Sequence, residues 1–339
     1  MSVKTVNLAS IEHETESRGV RFEVRRGALS ERLDAEKLRY GTLILPPGKA
    51  DGPYRFHLVA EAMVFVLGGE CWIRLGGPEH ALTAGDVVAL PPRASSAWQL
   101  VNRGSSPAHL FVAETVEDRD VIGHPDSEKR IYRMRSGGEG GESVDDLVLS
   151  GDRIVDVWEG ETVDEPLGEA PEAAAAADPR ISSIRDVAWE AFGGTLFHGE
   201  RKRLSRAAGG ERLGYSLYRL KPGERPYPFH FHHVNEEAFF VRTGYGELRT
   251  LEGTRKLSPG DAFGCPPGIV GAHGLLNTGD GALEYFAVST MIEPEVIEYP
   301  DSDKLYAMVG APPGGDPKRR VIDRIFRRSD AVEYEEGER

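Results

Sequence analysis

The sequence predicts an all-β protein built as two tandem barrels, and three observations predict it. Apolar stretches of strand length with a period of two, such as Met63-Val64-Phe65-Val66-Leu67 and Ala238-Phe239-Phe240-Val241-Arg242, are cut by Gly-Gly, Gly-Asp and Pro-Pro pairs. Short strands joined by turns have this spacing. Glycine supplies 40 of the 339 residues and proline 22, against an average near ~7% for glycine, so turns are frequent and long helices few. The chain also repeats itself: Gly48 and Gly223, His57 and His232, Gly85-Asp86 and Gly260-Asp261, Asn102 and Asn277, and Pro125-Asp126-Ser127 and Pro300-Asp301-Ser302 are all offset by 175. Such self-similarity means one architecture used twice.

The repeat sets the domains. Val155–Glu161 resembles Val332–Glu338, and Leu8–Ile11 resembles Ile181–Ile184, so the halves run over 1–161 and 180–339. Between them, 162–179 is acidic, rich in alanine and proline, and short of large apolar residues. It reads as a linker with one helical turn at Ala173–Ala177. Within the halves, Glu61-Ala62 through Gly68 align with Glu237-Ala238 through Gly244 at an offset of 176. That alignment requires one residue inserted before the glutamate and removed again before Gly85.

Charge narrows the partners. With 41 Lys+Arg against 55 Asp+Glu the net charge is −14, whereas nucleic acid and anionic membrane surfaces require clustered cations. No apolar run approaches the ~18 residues that span a bilayer, and the first twenty residues lack the apolar core of a secretion signal. Cys71 and Cys265 cannot build a disulfide framework and suit a reducing, cytoplasmic setting. A small-molecule substrate is the expected partner, and a homodimer is compatible with the exposed strand edges that barrels carry.

The chemistry concentrates in the second half. In Pro228-Phe229-His230-Phe231-His232-His233-Val234-Asn235-Glu236-Glu237, residues two apart on an extended segment share a face, so His230 and His232 aim at one point. Glu237 returns on the next strand and adds a carboxylate. Turns at Gly260-Asp261 and Pro266-Pro267-Gly268 bring His273 back across the barrel. Three imidazoles and a carboxylate form a mixed nitrogen and oxygen site, and burying them without a cation is costly. Phe229, Phe231, Phe239 and Val241 are the expected lining of an apolar pocket around it. Strand alternation turns Glu236 away from Glu237, toward the surface or behind the ligands, and His233 is read the same way.

At this point the residues resemble the cupin superfamily. The first cupin motif is matched by His230, His232, Glu237 and Gly244, and the second by Gly260, Pro266, Gly268, His273 and Asn277, with two extra residues before His273. The resemblance covers about 40–125 and 215–300 and implies two double-stranded β-helix, or jelly-roll, barrels. It also implies that His230, His232, Glu237 and His273 are the ligands of one divalent transition metal, with Fe(II) or Mn(II) favoured and Ni, Co, Cu and Zn left open. In the first half Arg55 and Trp98 stand at the positions of His230 and His273, while His57 and Glu61 keep theirs. This vestigial set is expected to be metal-free, with an Arg55–Glu61 ion pair in place of the cation and the Trp98 indole filling its volume.

Four protein ligands leave about two positions of an octahedral ion open. The expected activity, by family analogy, is therefore that of a metal-dependent oxidoreductase of dioxygenase type acting on a small organic substrate, with Glu237 as ligand and proton acceptor. Two alternatives stand beside it. One is a non-catalytic metal-containing binding protein; the other is a metal-dependent isomerase or decarboxylase, which needs His233 or Glu236 to turn inward as a second acid or base. Arg219 and Arg242 are candidates for orienting an anionic substrate. His13, His80, His109, His124 and His198 are read as loop or surface residues, and Trp72, Trp158 and Trp189 as packing aromatics.

Overall fold

The computed structural model describes residues 3–138, 141–169 and 176–338. Each half contributes a seven-stranded antiparallel sheet opposed by smaller sheets. The first large sheet runs Ile181–Ser183, Asp86–Leu90, Ala62–Gly68, Ala108–Thr115, Leu38–Leu45, Phe22–Ala28, Glu14–Arg18. The second runs Thr5–Asn7, Asp261–Cys265, Glu237–Thr243, Leu283–Thr290, Leu213–Leu220, His198–Lys202, Glu190–Gly193. Both therefore begin with a strand from the other half: Thr5–Asn7 pairs with Asp261–Cys265, and Ile181–Ser183 with Asp86–Leu90. The exchange covers two backbone edges that would otherwise be open to solvent. Among the described residues, no helix is long and apolar enough to cross a membrane.

The hydrogen-bond register corrects the alignment of the two halves. The backbone N–H of Glu61 donates to Thr115 Oγ1 at 3.1 Å, and that of Glu236 donates to Thr290 Oγ1 at 3.0 Å. Gly69 and Gly244 both hold positive φ, 76° and 82°, and a Cβ on either would overlap the carbonyl of Pro107 or Ala282. From Glu61 through Gly69 the offset is thus 175, as on either side, with nothing inserted. Glu61 corresponds to Glu236, and Ala62 stands where Glu237 stands. Adjacent glutamates at 236–237 and adjacent glycines at 68–69 allow the sequences to slide by one.

Period-two alternation gives each large sheet two buried faces. One face packs against the other half: Phe65 and Phe111 meet Phe240 and Phe286 at centroid distances of 4.9–6.2 Å, in a core shared with Tyr40, Met63, Leu213, Tyr215 and Val288. The other face closes each barrel. In the first barrel it is aliphatic, with Leu43, Val64, Val66, Ile73, Leu82, Val88 and Leu110 filling the interior. In the second barrel the positions of Leu43, Val64 and Leu110 carry Tyr218, Phe239 and Tyr285, and a cavity opens beside them.

The halves also clasp each other through buried carboxylates. Glu61 accepts the N–H groups of Glu211 and Arg212, and Glu236 accepts those of Glu36 and Lys37 at 2.8 and 2.6 Å. Lys37 Nζ donates to the Val234 carbonyl and Arg212 Nη1 to that of Val59. Every member of one clasp lies 175 residues from its partner in the other. The segment following the first half lies along the first barrel, with the Val163 carbonyl accepting from Val20 and the Gly168 carbonyl from Arg103. The turn expected at Ala173–Ala177 falls largely outside the described residues.

Candidate metal centre

His230 and His273 exchange two backbone hydrogen bonds, 3.1 and 2.9 Å, which locks the two cupin-like motifs side by side. His232 follows on the two-residue strand that pairs with Glu295–Tyr299, and Glu237 opens the strand Glu237–Thr243. Between them, Asn235 ties the turn down: its Oδ1 accepts from Thr290 Oγ1 and from the N–H of Ile292 at 2.9 and 2.7 Å. Gly271 shapes the turn that carries His273, since a Cβ there would overlap the Pro266 carbonyl.

Of the four expected ligands, His230, His232 and Glu237 converge, and His273 adjoins Glu237. Ligand atoms of His230, His232 and Glu237 lie within 4.8 Å of one another, and the Nε2 atoms of His232 and His273 are each 3.4 Å from Glu237 Oε2. All three imidazoles are buried. Each Nδ1 is committed outward, to the Pro228 carbonyl (2.8 Å), the Gly271 carbonyl (3.0 Å) and Glu295 Oε2 (3.1 Å) for His230, His273 and His232 respectively. A ring that donates from Nδ1 presents a lone pair at Nε2. Glu237 Oε2 is itself buried without a hydrogen-bond partner. Three nitrogen lone pairs and an orphaned carboxylate oxygen facing one point are acceptors without a donor, and a divalent cation satisfies all of them.

Electrostatics points the same way. Burial pushes the Glu237 carboxyl up, but the neighbouring imidazoles, His232 foremost, hold it well below the usual carboxylate range. Burial, then crowding by His273 and His232, pushes His230 down to about 3. His232 is raised despite its burial because Glu237 and Glu295 both attract its proton.

Glu295 was not among the sequence-derived site residues. Its side chain is fully buried and accepts from the N–H groups of Val234 and Asn235 at 3.1 and 3.0 Å as well as from His232. Its counterpart at the 175 offset is Asp120, which binds His57 Nδ1 at 2.6 Å. The repeat was the signal that could have found both. His233 lies at the surface against Glu298, 3.2 Å away, and Glu236 faces the other barrel, so neither reaches the centre.

The first barrel is arranged differently from the expectation. Arg55 does not pair with Glu61. Its Nη2 binds Asp51 Oδ2 at 2.7 Å, and its guanidinium carbon lies 3.6 Å from the centre of the Trp98 ring. Arg55 and Trp98 exchange backbone hydrogen bonds of 3.0 and 2.7 Å, repeating the His230–His273 pairing. Glu61 is engaged in the inter-barrel clasp because it corresponds to Glu236. With Ala62 at the position of Glu237, this set offers one imidazole, His57, and no carboxylate. His124 is buried rather than on the surface, next to Glu161 at 3.3 Å.

Above the four candidate ligands opens a cavity of ≈ 390 Å³. Phe239 lines it, 5.3 Å from the His273 ring, together with Tyr218, Tyr227, Tyr285, Tyr299 and Arg201. Phe229, Phe231 and Val241 do not line it. Phe229 and Phe231 alternate to the opposite face from the histidines and pack on Ala272; Val241 lies in the apolar core with Leu248 and Leu283. Arg219 and Arg242 are paired with Glu200 and Glu284 outside the cavity. Tyr218 and Tyr285 were legible from alternation along their strands, whereas Arg201 sits on the penultimate strand of its sheet with no motif to mark it.

The sequence matches the family model for the cupin domain twice, over residues 41–114 and 216–289. A search of curated proteins finds no significant relative. Among solved structures, a Pseudomonas aeruginosa protein named as glyoxylate-induced is similar at 16% identity and a TM-score of 0.56, covering 85% of this chain and 89% of its own. Oxalate decarboxylase from Lactobacillus farciminis is similar at 13% identity and a TM-score of 0.51, covering 85% and 86%. A Bacillus subtilis oxalate decarboxylase variant is similar at 13% identity and a TM-score of 0.50, covering 85% and 77%. At these identities the likeness is one of fold.

Proposed function

Since this chain is a two-barrel member of the cupin superfamily, we propose that it is a mononuclear metal enzyme that oxidises a small organic substrate in the manner of a dioxygenase. The metal site is that of the second barrel, with His230, His232, Glu237 and His273 as ligands and Fe(II) or Mn(II) as the favoured ion. The observation that carries this reading is the cavity itself. Four donors meet at its floor, and its remaining polar side chains are tyrosine and serine hydroxyls and guanidinium groups.

Bound there, a redox-active divalent ion supplies Lewis acidity and a route for electrons between an organic substrate and dioxygen. The chain's own residues do the rest. Phe239, Tyr218 and Tyr285 exclude bulk water and offer flat faces to a planar substrate. Glu237 is the carboxylate at the floor of the cavity, placed to take a proton from a substrate hydroxyl. Isomerisation and decarboxylation, which need a second acid or base, are less well supported. His233 and Glu236 face elsewhere, and no other carboxylate or imidazole lines the cavity among the described residues.

The test is oxygen uptake by the full chain loaded anaerobically with Fe(II) or Mn(II), offered catechols, hydroxyaromatics, flavonols and diketones. Metal- and substrate-dependent uptake that disappears in His273→Ala is the expected result. Release of carbon dioxide without oxygen uptake would move the chain to decarboxylase chemistry. Silence across the panel would leave a binding protein.

A further inference from the structure

Among the arginines that line the cavity, Arg201 is half-buried with no carboxylate counter-ion among the described residues, whereas Arg206, likewise without one, is exposed. Arg201 lies on the inner face of the strand His198–Lys202, paired across the ladder with Tyr218 on one side and Glu190 on the other. Its Nη1 donates to the Tyr227 hydroxyl at 3.3 Å, while its Nε is buried with no partner. Among the described residues no carboxylate forms an ion pair with it. The carboxylate of Glu190 is taken by Arg203 at 3.0 Å, and that of Glu200 by Arg219 at 2.9 Å. Another cavity guanidinium, that of Arg320, is held by Asp323 at 3.2 Å and by the Ala311 and Pro312 carbonyls. In the filled first barrel, Arg26 stands 175 residues before Arg201 and is paired with Glu16 at 3.0 Å. The pairing is missing in the barrel that holds the cavity.

A half-buried guanidinium with an orphaned N–H is a cost that a bound anion removes. Flat aromatic surfaces lead from Arg201 toward the metal ligands. Phe192 stacks on Tyr227 at 5.3 Å, Tyr218 stacks on Tyr285 at 5.0 Å, and the Tyr227 ring is 6.1 Å from that of His230. Tyr227 therefore touches the guanidinium at one end and borders a metal ligand at the other.

We propose that Arg201, with the Tyr227 hydroxyl, is the anion anchor of the cavity, and that the substrate is a planar organic carboxylate. The carboxylate lies on the guanidinium and a second oxygen reaches the metal ligands. The inference deepens the proposed function and rests on the cavity being the substrate site. One guanidinium fork and one hydroxyl match the two oxygens of a carboxylate; a phosphate monoester, with three terminal oxygens, leaves part of its charge unmatched.

Calorimetric titration of the metal-loaded full chain with benzoate, benzamide and phenyl phosphate tests this, in parent, Arg201→Gln and Arg201→Lys. Benzoate affinity is expected to fall about tenfold or more in Arg201→Gln and to recover in part in Arg201→Lys. Benzamide affinity and metal content stay unchanged. Arg201→Lys carries the test alone if Arg201→Gln does not fold. Equal benzoate binding in parent and variants, no benzoate binding to the parent, or a preference for phenyl phosphate over benzoate would each overturn the proposal. Arg201-dependent benzoate binding without any oxygen uptake would keep the anion anchor and discard the oxygenase reading.

Discussion

At the scale of single residues, the candidate metal ligands are held by partners that the ligand motif does not name. Glu295 is one: it orients His232 through Nδ1 and also accepts two backbone N–H groups of the turn that follows. Glu295→Gln should lower metal affinity about 10–100-fold while leaving the fold intact, measured by Mn(II) titration. Asp120→Asn, the same change in the first barrel, should leave metal content unaltered. Metal analysis should likewise find one atom per chain, lost in His232→Ala and kept in His57→Ala; two atoms per chain would refute the assignment. The donors were legible because histidine and glutamate recur at motif spacing. Arg201 was not, since its significance lies in a carboxylate that is missing, and a missing partner leaves no trace in a sequence.

At the scale of elements, alternation correctly separates the faces of the strands, and its local misreading is instructive. Phe229 and Phe231 flank His230 in sequence and for that reason point away from it. Register across the repeat was misjudged where two like residues adjoin, and the turn geometry of Gly69 and Gly244 resolves it. That geometry is testable. Gly223 and Gly244 both hold φ of 82°, but a Cβ at Gly223 meets open space whereas one at Gly244 meets the Ala282 carbonyl. Gly223→Ala should cost about 1–2 kcal/mol for the left-handed backbone alone, and Gly244→Ala distinctly more, as read from denaturant midpoints. Equal costs would mean that the turn yields.

At the scale of the whole molecule, the halves share one core, so they should unfold together. Phe286→Ala removes a ring that stacks on Phe65 at 4.9 Å and on Phe240 at 5.2 Å and should cost about 3–5 kcal/mol while keeping a single transition. Glu61 adds a pH dependence to this interface. Burial, partly offset by the N–H groups of Arg212 and Glu211, raises its carboxyl from 4.5 to about 7. The folded state therefore binds the proton more tightly, and the stability Glu61 contributes is lost as pH rises from 4.5 through 7. The melting temperature of Glu61→Gln minus that of the parent should accordingly be larger at pH 8 than at pH 5. The duplicated barrels were visible in the sequence, but their mutual grip was not, because its contacts join short polar segments 150 or more residues apart. The traded edge strands carry that grip furthest. A nick between 169 and 176 would yield two fragments, each completing a sheet in the other, which should remain associated at one-to-one stoichiometry. A half-length chain with this surface would close on itself as a twofold dimer, and joining two copies end to end makes such pairing independent of concentration. Fusion also frees one copy to fill its interior while the other keeps a cavity for chemistry.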